Sequence, residues 1–197
     1  MNYRDVPAFM ARLREQQSIA ERALEFTILT AARSNEVYGA TWSEVSFDEN
    51  LWTIPRERTK SAREHRVPLS GRAIEILRGL EASKTCDLIF PSPRAHKPLS
   101  HIAMAQALSR MGVTDVTVHG FRSSFRDWVG NETHFPREVA EAALAHVVGD
   151  KAEQAYRRGD ALEKRRALMD AWAVFCGNCA PQNIVKLSRS WRAQDAQ

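Results

Sequence analysis

Leu51-Trp52-Thr53-Ile54-Pro55 and His65-Arg66-Val67-Pro68-Leu69-Ser70, joined by the charged run Arg56 to Arg66, decide the fold. Trp, Thr and Ile suit a pleated, half-buried surface. Glu44-Val45-Ser46-Phe47 precedes them, with the turn-forming Asp48-Glu49-Asn50 between. The spacing predicts strand, turn and strand, closed by Pro55, which cannot donate to a further ladder bond. Arg66-Val67-Pro68-Leu69 predicts a third short strand, and the charged run before it a solvated hairpin loop.

Outward from this sheet the chain turns helical. Phe9, Met10 and Leu13 predict a helix over about 7–17, and Ala23, Leu24, Phe26, Thr27 and Leu29 a more buried one over about 20–32. Ser34 is expected to cap a short helix running to about Ala40. Ala73, Ile74, Leu77 and Leu80 place another at about 70–80. Leu88-Ile89-Phe90 is a short buried strand or an extended piece before Pro91. Ser100 opens a helix that ends at Gly112, and further helices are expected over about 119–130, 136–144 and 161–175. The class is mainly α with a small three-stranded antiparallel sheet. A boundary falls near Gly177, giving one domain over 1–177 and a polar basic tail over 178–197 that carries Lys186, Arg189 and Arg192.

The chain has 197 residues, enough for one domain. A domain of that size buries roughly 70% of the surface its unfolded chain exposes. The apolar fraction of 44% fits a soluble globular class. No run of about 18 apolar residues is present, so no membrane span is expected. The N-terminus has no apolar signal segment, which points to the cytoplasm. A net charge of +4 and a pI near 9.2 favour a polyanionic partner. The cysteines are Cys86, Cys176 and Cys179, an odd number that argues against a disulfide framework. Cys176-Gly177-Asn178-Cys179 has the spacing of half a zinc site, but no second pair completes it. Two ordinary cysteines at a helix end are the simpler reading.

Residues that carry chemistry are scattered. His119 and Arg122 share a helix face at i and i+3, near an N-terminus that favours anions. Taken alone, the pair also reads as a capping histidine and a surface arginine. Arg33 sits at another helix start and could grip two phosphate oxygens at once, as lysine cannot. Glu36, three residues on, could orient it. Lys60, Arg58, Arg63 and Arg66 load the hairpin tip with cations. His146 follows the apolar run Ala142-Ala143-Leu144-Ala145. Tyr156 is flanked by Arg157 and Arg158. A free phenol titrates near 10, and adjacent cations favour its phenolate. Each residue has an ordinary structural explanation by itself, whether packed tyrosine, half-buried histidine or solvated charge.

As an ordered set, Arg, Lys, His-x-x-Arg, His, Tyr resembles the catalytic domain of the tyrosine recombinases, the phage integrase family. The local likeness is to integrases of satellite phages and genomic islands. It rests on Trp52 to Pro55, His65 to Ser70, His119 to Arg122 and Leu144 to Val147, and it spans about residues 20–176. The resemblance implies a DNA integrase that cuts and rejoins strands. By it, Arg33 and Arg122 bind the scissile phosphate, Lys60 protonates the leaving 5′ oxygen, and His119 assists as base or donor. His146 holds the phosphate, and Tyr156 attacks to leave a 3′-phosphotyrosine. Arg58, Arg63, Arg157 and Arg158 are the implied DNA contacts. No metal, ATP or other cofactor is implied. The implied partner is double-stranded DNA at attachment sites, bound as a tetramer, with a monomer when free. The family usually has a glycine where Ala31-Ala32 stand. Only about thirty residues precede Arg33, so the chain is expected to be a catalytic domain without the helical DNA-binding domains that precede it in such integrases.

Other classes stay in view: a noncatalytic DNA-binding remnant, a metal-dependent nuclease using the histidines, and a type IB topoisomerase. The nuclease lacks an Asp/Glu cluster at ligand spacing. The apolar stripe Leu162, Leu168, Met169, Trp172 and Phe175 allows two readings, docking on a neighbouring protomer or folding back on its own core.

Overall fold

The computed structural model of the chain describes residues 1–93, 97–146 and 161–178. Three strands, β1 (Val45–Ser46), β2 (Leu51–Ile54) and β3 (His65–Pro68), form one antiparallel sheet in the order β1-β2-β3. Val45 pairs with Trp52, and Ile54 with His65. Leu51, Trp52 and Ile54 are all buried, so the central strand has core on both faces. Pro68 ends the edge strand β3, where a missing donor does least harm.

Eight helices surround the sheet among the described residues. They are α1 (Val6–Arg14), α2 (Ile19–Thr30), α3 (Ser34–Tyr38), α4 (Gly71–Glu81), α5 (Ala103–Arg110), α6 (Gly120–Glu132), α7 (Arg137–Ala143) and α8 (Leu162–Gly177). The mainly helical class with a three-stranded sheet is therefore what the chain adopts. Helix α2 is the axis of the packing: it touches α1, α3, α4, α5 and α8. Its Phe26 ring lies 5.4 Å from both Trp52 and Phe90. Leu88 makes an isolated bridge to Thr41, which decides for the extended reading of that segment.

Two sequence expectations are corrected, and one open choice is narrowed. The residue at the N-cap of α3 is Arg33, not Ser34, because the Arg33 N–H donates to the Glu36 side chain at 2.8 Å. The charged run after β2 is not wholly solvated. Arg58 turns inward, donating to Glu44 Oε1 at 2.8 Å and to the carbonyls of Gly39 and Glu36. Thr59 beside it is buried, its hydroxyl donating to the Arg63 carbonyl at 2.7 Å. Of the two readings left open for the apolar stripe of α8, the one in which it folds back on its own domain is what the packing supports. Trp172 is fully buried, and its indole N–H donates to the Ile28 carbonyl in the last turn of α2 at 2.8 Å. Its ring packs within 5.5 Å of Phe125, Trp128 and Phe175.

Candidate active site

The site forms where the starts of α3 and α6 meet the end of α7. Helix α2 stops at Ala31, which takes a left-handed conformation at φ 49°. The chain turns there and delivers Arg33 to the start of α3. A glycine adopts that conformation without the Cβ penalty an alanine meets. This is the physical content of the glycine preference noted above.

Helix α7 ends in a second left-handed alanine, Ala145 at φ 50°. The Ala145 N–H donates to the Ala142 carbonyl at 3.1 Å, and the His146 N–H to the Glu141 carbonyl at 2.9 Å. This pair of bonds is a Schellman ending. It leaves the Leu144 and Ala145 carbonyls pointing into the site, at the negative end of the helix.

Both arginines converge on that end. Arg122 Nη2 donates to the Leu144 carbonyl at 2.7 Å, and Arg122 Nη1 to the Ala31 carbonyl. Arg33 Nη2 reaches the carbonyls of Leu144 and Ala145 at 3.4 Å each, and Arg33 Nη1 donates to Glu36 Oε1 at 3.0 Å. Arg122 is 6% exposed. Burial, then the charge of Arg33, pulls its pKa down to about 10, with Glu36 and Glu141 opposing. It stays a cation at neutral pH. Its Nε is buried and has no hydrogen-bond partner among the described residues.

His119 is the N-cap of α6, and Arg122 follows three residues later. Burial lowers the His119 pKa, and the charges of Arg122, Arg33, His146 and Lys60 lower it further. Lys60, on the exposed hairpin, is thus within electrostatic reach of the same cluster. His146 sits with Nε2 at 3.3 Å from Arg122 Nη2 and Nδ1 at 2.6 Å from Glu141 Oε2. Four of the six expected catalytic residues are therefore brought together, Arg33, His119, Arg122 and His146, with Lys60 on the hairpin acting on His119 through its charge. The sixth, Tyr156, lies outside the described residues, as do Arg157, Arg158 and Cys179. Arg63 is exposed on the hairpin, and Arg58 is bonded to Glu44 and two carbonyls.

Three residues that support the site were not singled out from the sequence. Glu141 holds His146. His65 lies buried behind the cluster; desolvation, then Arg165, pushes its pKa down to about 4, so the ring is neutral. Arg165 is fully buried and donates to the Arg66 carbonyl at 2.5 Å, tying α8 to β3. The signal for Arg165 was its spacing: it lies three and four residues before Leu168 and Met169, on the apolar stripe itself. Among the described residues no three His, Cys, Asp or Glu side chains could together hold a metal ion, and no helix is long and apolar enough to cross a membrane. Cys176 is a buried thiol whose pKa burial raises.

Two guanidinium groups and the His146 imidazole, with the carboxylates of Glu36 and Glu141 beside them, meet at one corner of a mainly helical domain. A model of the phage integrase family matches residues 1–163, and the chain belongs to that family. It is 39% identical over 173 residues to the prophage integrase IntA of Escherichia coli (strain K12), covering 85% of this chain and 42% of that protein. It is 34% identical over 189 residues to the integrase of Enterobacteria phage P4, covering 86% of this chain and 43% of that protein. The chain thus spans under half the length of these curated relatives. The fold is similar to that of a lambda integrase dimer crystallised on a COC' core site. The TM-score is 0.57 at 19% identity, covering 77% of this chain and 60% of that one.

Proposed function

We propose that this chain is the catalytic domain of a site-specific DNA recombinase, an integrase that inserts or excises a prophage or genomic island. The observation that carries the reading is the meeting of Arg33, Arg122 and His146 at one carbonyl-rich corner, with Arg122 Nε left unpartnered. A phosphodiester supplies the acceptor that this buried donor lacks.

In this reading Arg33 and Arg122 neutralise the two nonbridging oxygens of the scissile phosphate. Tyr156 attacks phosphorus through its phenolic oxygen, forming the P–O bond of a 3′-phosphotyrosine. The bond to the 5′ oxygen breaks, and Lys60 gives that oxygen its proton, leaving a free 5′ hydroxyl. His119, kept neutral by burial and its cationic neighbours, is suited to accept a proton. His146 holds the phosphate. Because the phosphotyrosine keeps the energy of the cleaved ester, a 5′ hydroxyl can reseal it without ATP. Fixed positive side chains stabilise the transition state, as preorganised donors do in other sites. Double-stranded DNA is the partner, with Arg63, Arg157 and Arg158 along the backbone and a tetramer as the assembled form. The domain runs over 1–177, with 178–197 as a basic tail.

A nicked suicide duplex carrying the DNA that flanks this chain's own gene tests the reading. The expected result is a covalent adduct on a denaturing gel, resistant to chelator and lost in Tyr156→Phe. An adduct that survives Tyr156→Phe overturns the nucleophile, and one abolished by chelator overturns the metal-free chemistry.

A further inference from the structure

Glu141 is 5% exposed, at the core-facing side of α7. Its Oε2 lies 2.6 Å from His146 Nδ1. Its Oε1 lies 2.9 Å from Arg126 Nε, in ion-pair range though out of hydrogen-bonding line, and 3.8 Å from Arg137 Nε. Arg126 and Arg137 are exposed. A row of contacts therefore runs from the surface inward: Arg126, Glu141, His146, Arg122.

The protons along this row are decided by chemistry. A guanidinium only donates, so Arg122 Nη2 makes His146 Nε2 the acceptor. In the neutral ring the proton then sits on Nδ1, where it faces the carboxylate. The Schellman ending at Ala145 fixes the backbone of His146, since the His146 N–H donates to the carbonyl of the same Glu141. One residue thus holds both the main chain and the ring of the histidine.

We infer that Glu141 is the positioning residue of the site, which sets the His146 ring as the Nδ1–H tautomer and keeps Nε2 turned to the phosphate corner. The inference rests on the proposed strand-transfer reading only for its consequence, not for the hydrogen bond. In an empty site Nε2 accepts from Arg122. When a phosphate draws Arg122 away, the same nitrogen faces a phosphate oxygen, and Glu141 offsets the charge of the ring once it carries a second proton. Arg122 presents positive charge to His146 at 3.3 Å, and Glu141 the negative charge that answers it at 2.6 Å. Carboxylates behind histidines play this orienting part in other sites.

The test has two arms. In the first, long-range 1H–15N spectra of DNA-free, histidine-labelled protein report the His146 tautomer in wild type, Glu141→Gln, Glu141→Leu and Arg126→Ala. The expected result is Nδ1–H in wild type and in Arg126→Ala, and a shift towards Nε2–H in Glu141→Leu. An Nε2–H ring in wild type, or an unchanged Nδ1–H ring in Glu141→Leu, overturns the inference. Glu141→Gln keeps the shape and can still accept, so it retains Nδ1–H and guards against misfolding of the leucine variant. In the second arm, single-turnover adduct formation on the suicide duplex is measured alongside DNA affinity. Glu141→Leu is expected to slow the adduct step by about tenfold or more with affinity unchanged, within the range a proton-handling side chain commands. A wild-type adduct rate in Glu141→Leu overturns the inference. A wild-type rate in His146→Leu instead overturns the role of His146 in the proposed chemistry and leaves the tautomer result standing.

Discussion

Arg122 donates to the Leu144 carbonyl at 2.7 Å, so the buried arginine of α6 also caps the end of α7. The same guanidinium reaches the Ala31 carbonyl at the end of α2. One side chain thus satisfies the terminal acceptors of two helices, while its Nε is buried without a hydrogen-bond partner among the described residues.

Arg122→Lys removes the fork that serves both carbonyls. A single ammonium cannot reach Ala31 and Leu144 in the same geometry. The expected outcome is a loss of about 1–3 kcal/mol in thermal or denaturant unfolding, from an acceptor left buried and unpaired. Adduct formation is expected to fall by about a hundredfold or more, as when a preorganised donor is lost elsewhere.

Ala31→Gly and Ala145→Gly relieve two left-handed backbones at φ 49° and 50°. Each is expected to stabilise by about 0.5–1 kcal/mol, since the αL cost to alanine exceeds the entropy that glycine adds. A rise in Tm checks this, and Ala31→Val is expected to lower it.

Stability should fall with acid because of His65. Its ring is neutral in the fold down to about pH 4, whereas in the unfolded chain it takes a proton near 6.5. Between those values the unfolded state binds more protons, so stability decreases as pH drops from about 6.5 to 4 and levels off for this group below that. The full difference is about 3 kcal/mol. His65→Phe flattens this part of the curve, which denaturant titrations at pH 7, 5.5 and 4 would read.

Arg58→Ala and Arg63→Ala are expected to part company. Arg58 is bonded to Glu44 and to two carbonyls, so its loss lowers stability by about 1–3 kcal/mol and leaves the salt dependence of DNA binding unchanged. Under the proposed function Arg63 contacts a phosphate, and its loss is expected to weaken binding to all sequences alike. It reduces the slope of log K against log salt by about one.

Trp172→Ala should cost about 3–5 kcal/mol, because the indole is fully buried among Phe125, Trp128 and Phe175 and bonded to Ile28. Removal of α8 altogether is expected to collapse the fold in guanidinium titrations rather than merely abolish self-association.

The sheet and most helices were legible because their signals are local: alternation around Trp52, and 3.6-residue spacing at Ala73 to Leu80. The gathering of Arg33, His119, Arg122 and His146 was legible only through residue order, since no local rule places segments so far apart side by side. Arg58 was misplaced because a charged run looks solvated until its acceptors are known. Those acceptors are main-chain carbonyls at Glu36 and Gly39, invisible in a list of side chains. Glu141 escaped notice for a similar reason. A glutamate on a short helix reads as solvent-facing, and its link to His146 spans five residues across a chain reversal. Ser34 was the better cap by type, yet Glu36 reaching back to the Arg33 N–H moved the helix start by one residue.

The bonds from Arg122 to Ala31 and from Arg33 to Leu144 span 91 and 111 positions of the chain. Closing loops of that length comes late in folding, after local helices have formed. A nascent or partly unfolded molecule therefore has its arginines but not their convergence. The corner comes into being only with the finished fold, and in an incomplete chain the two guanidinium groups lack the carbonyls that gather them.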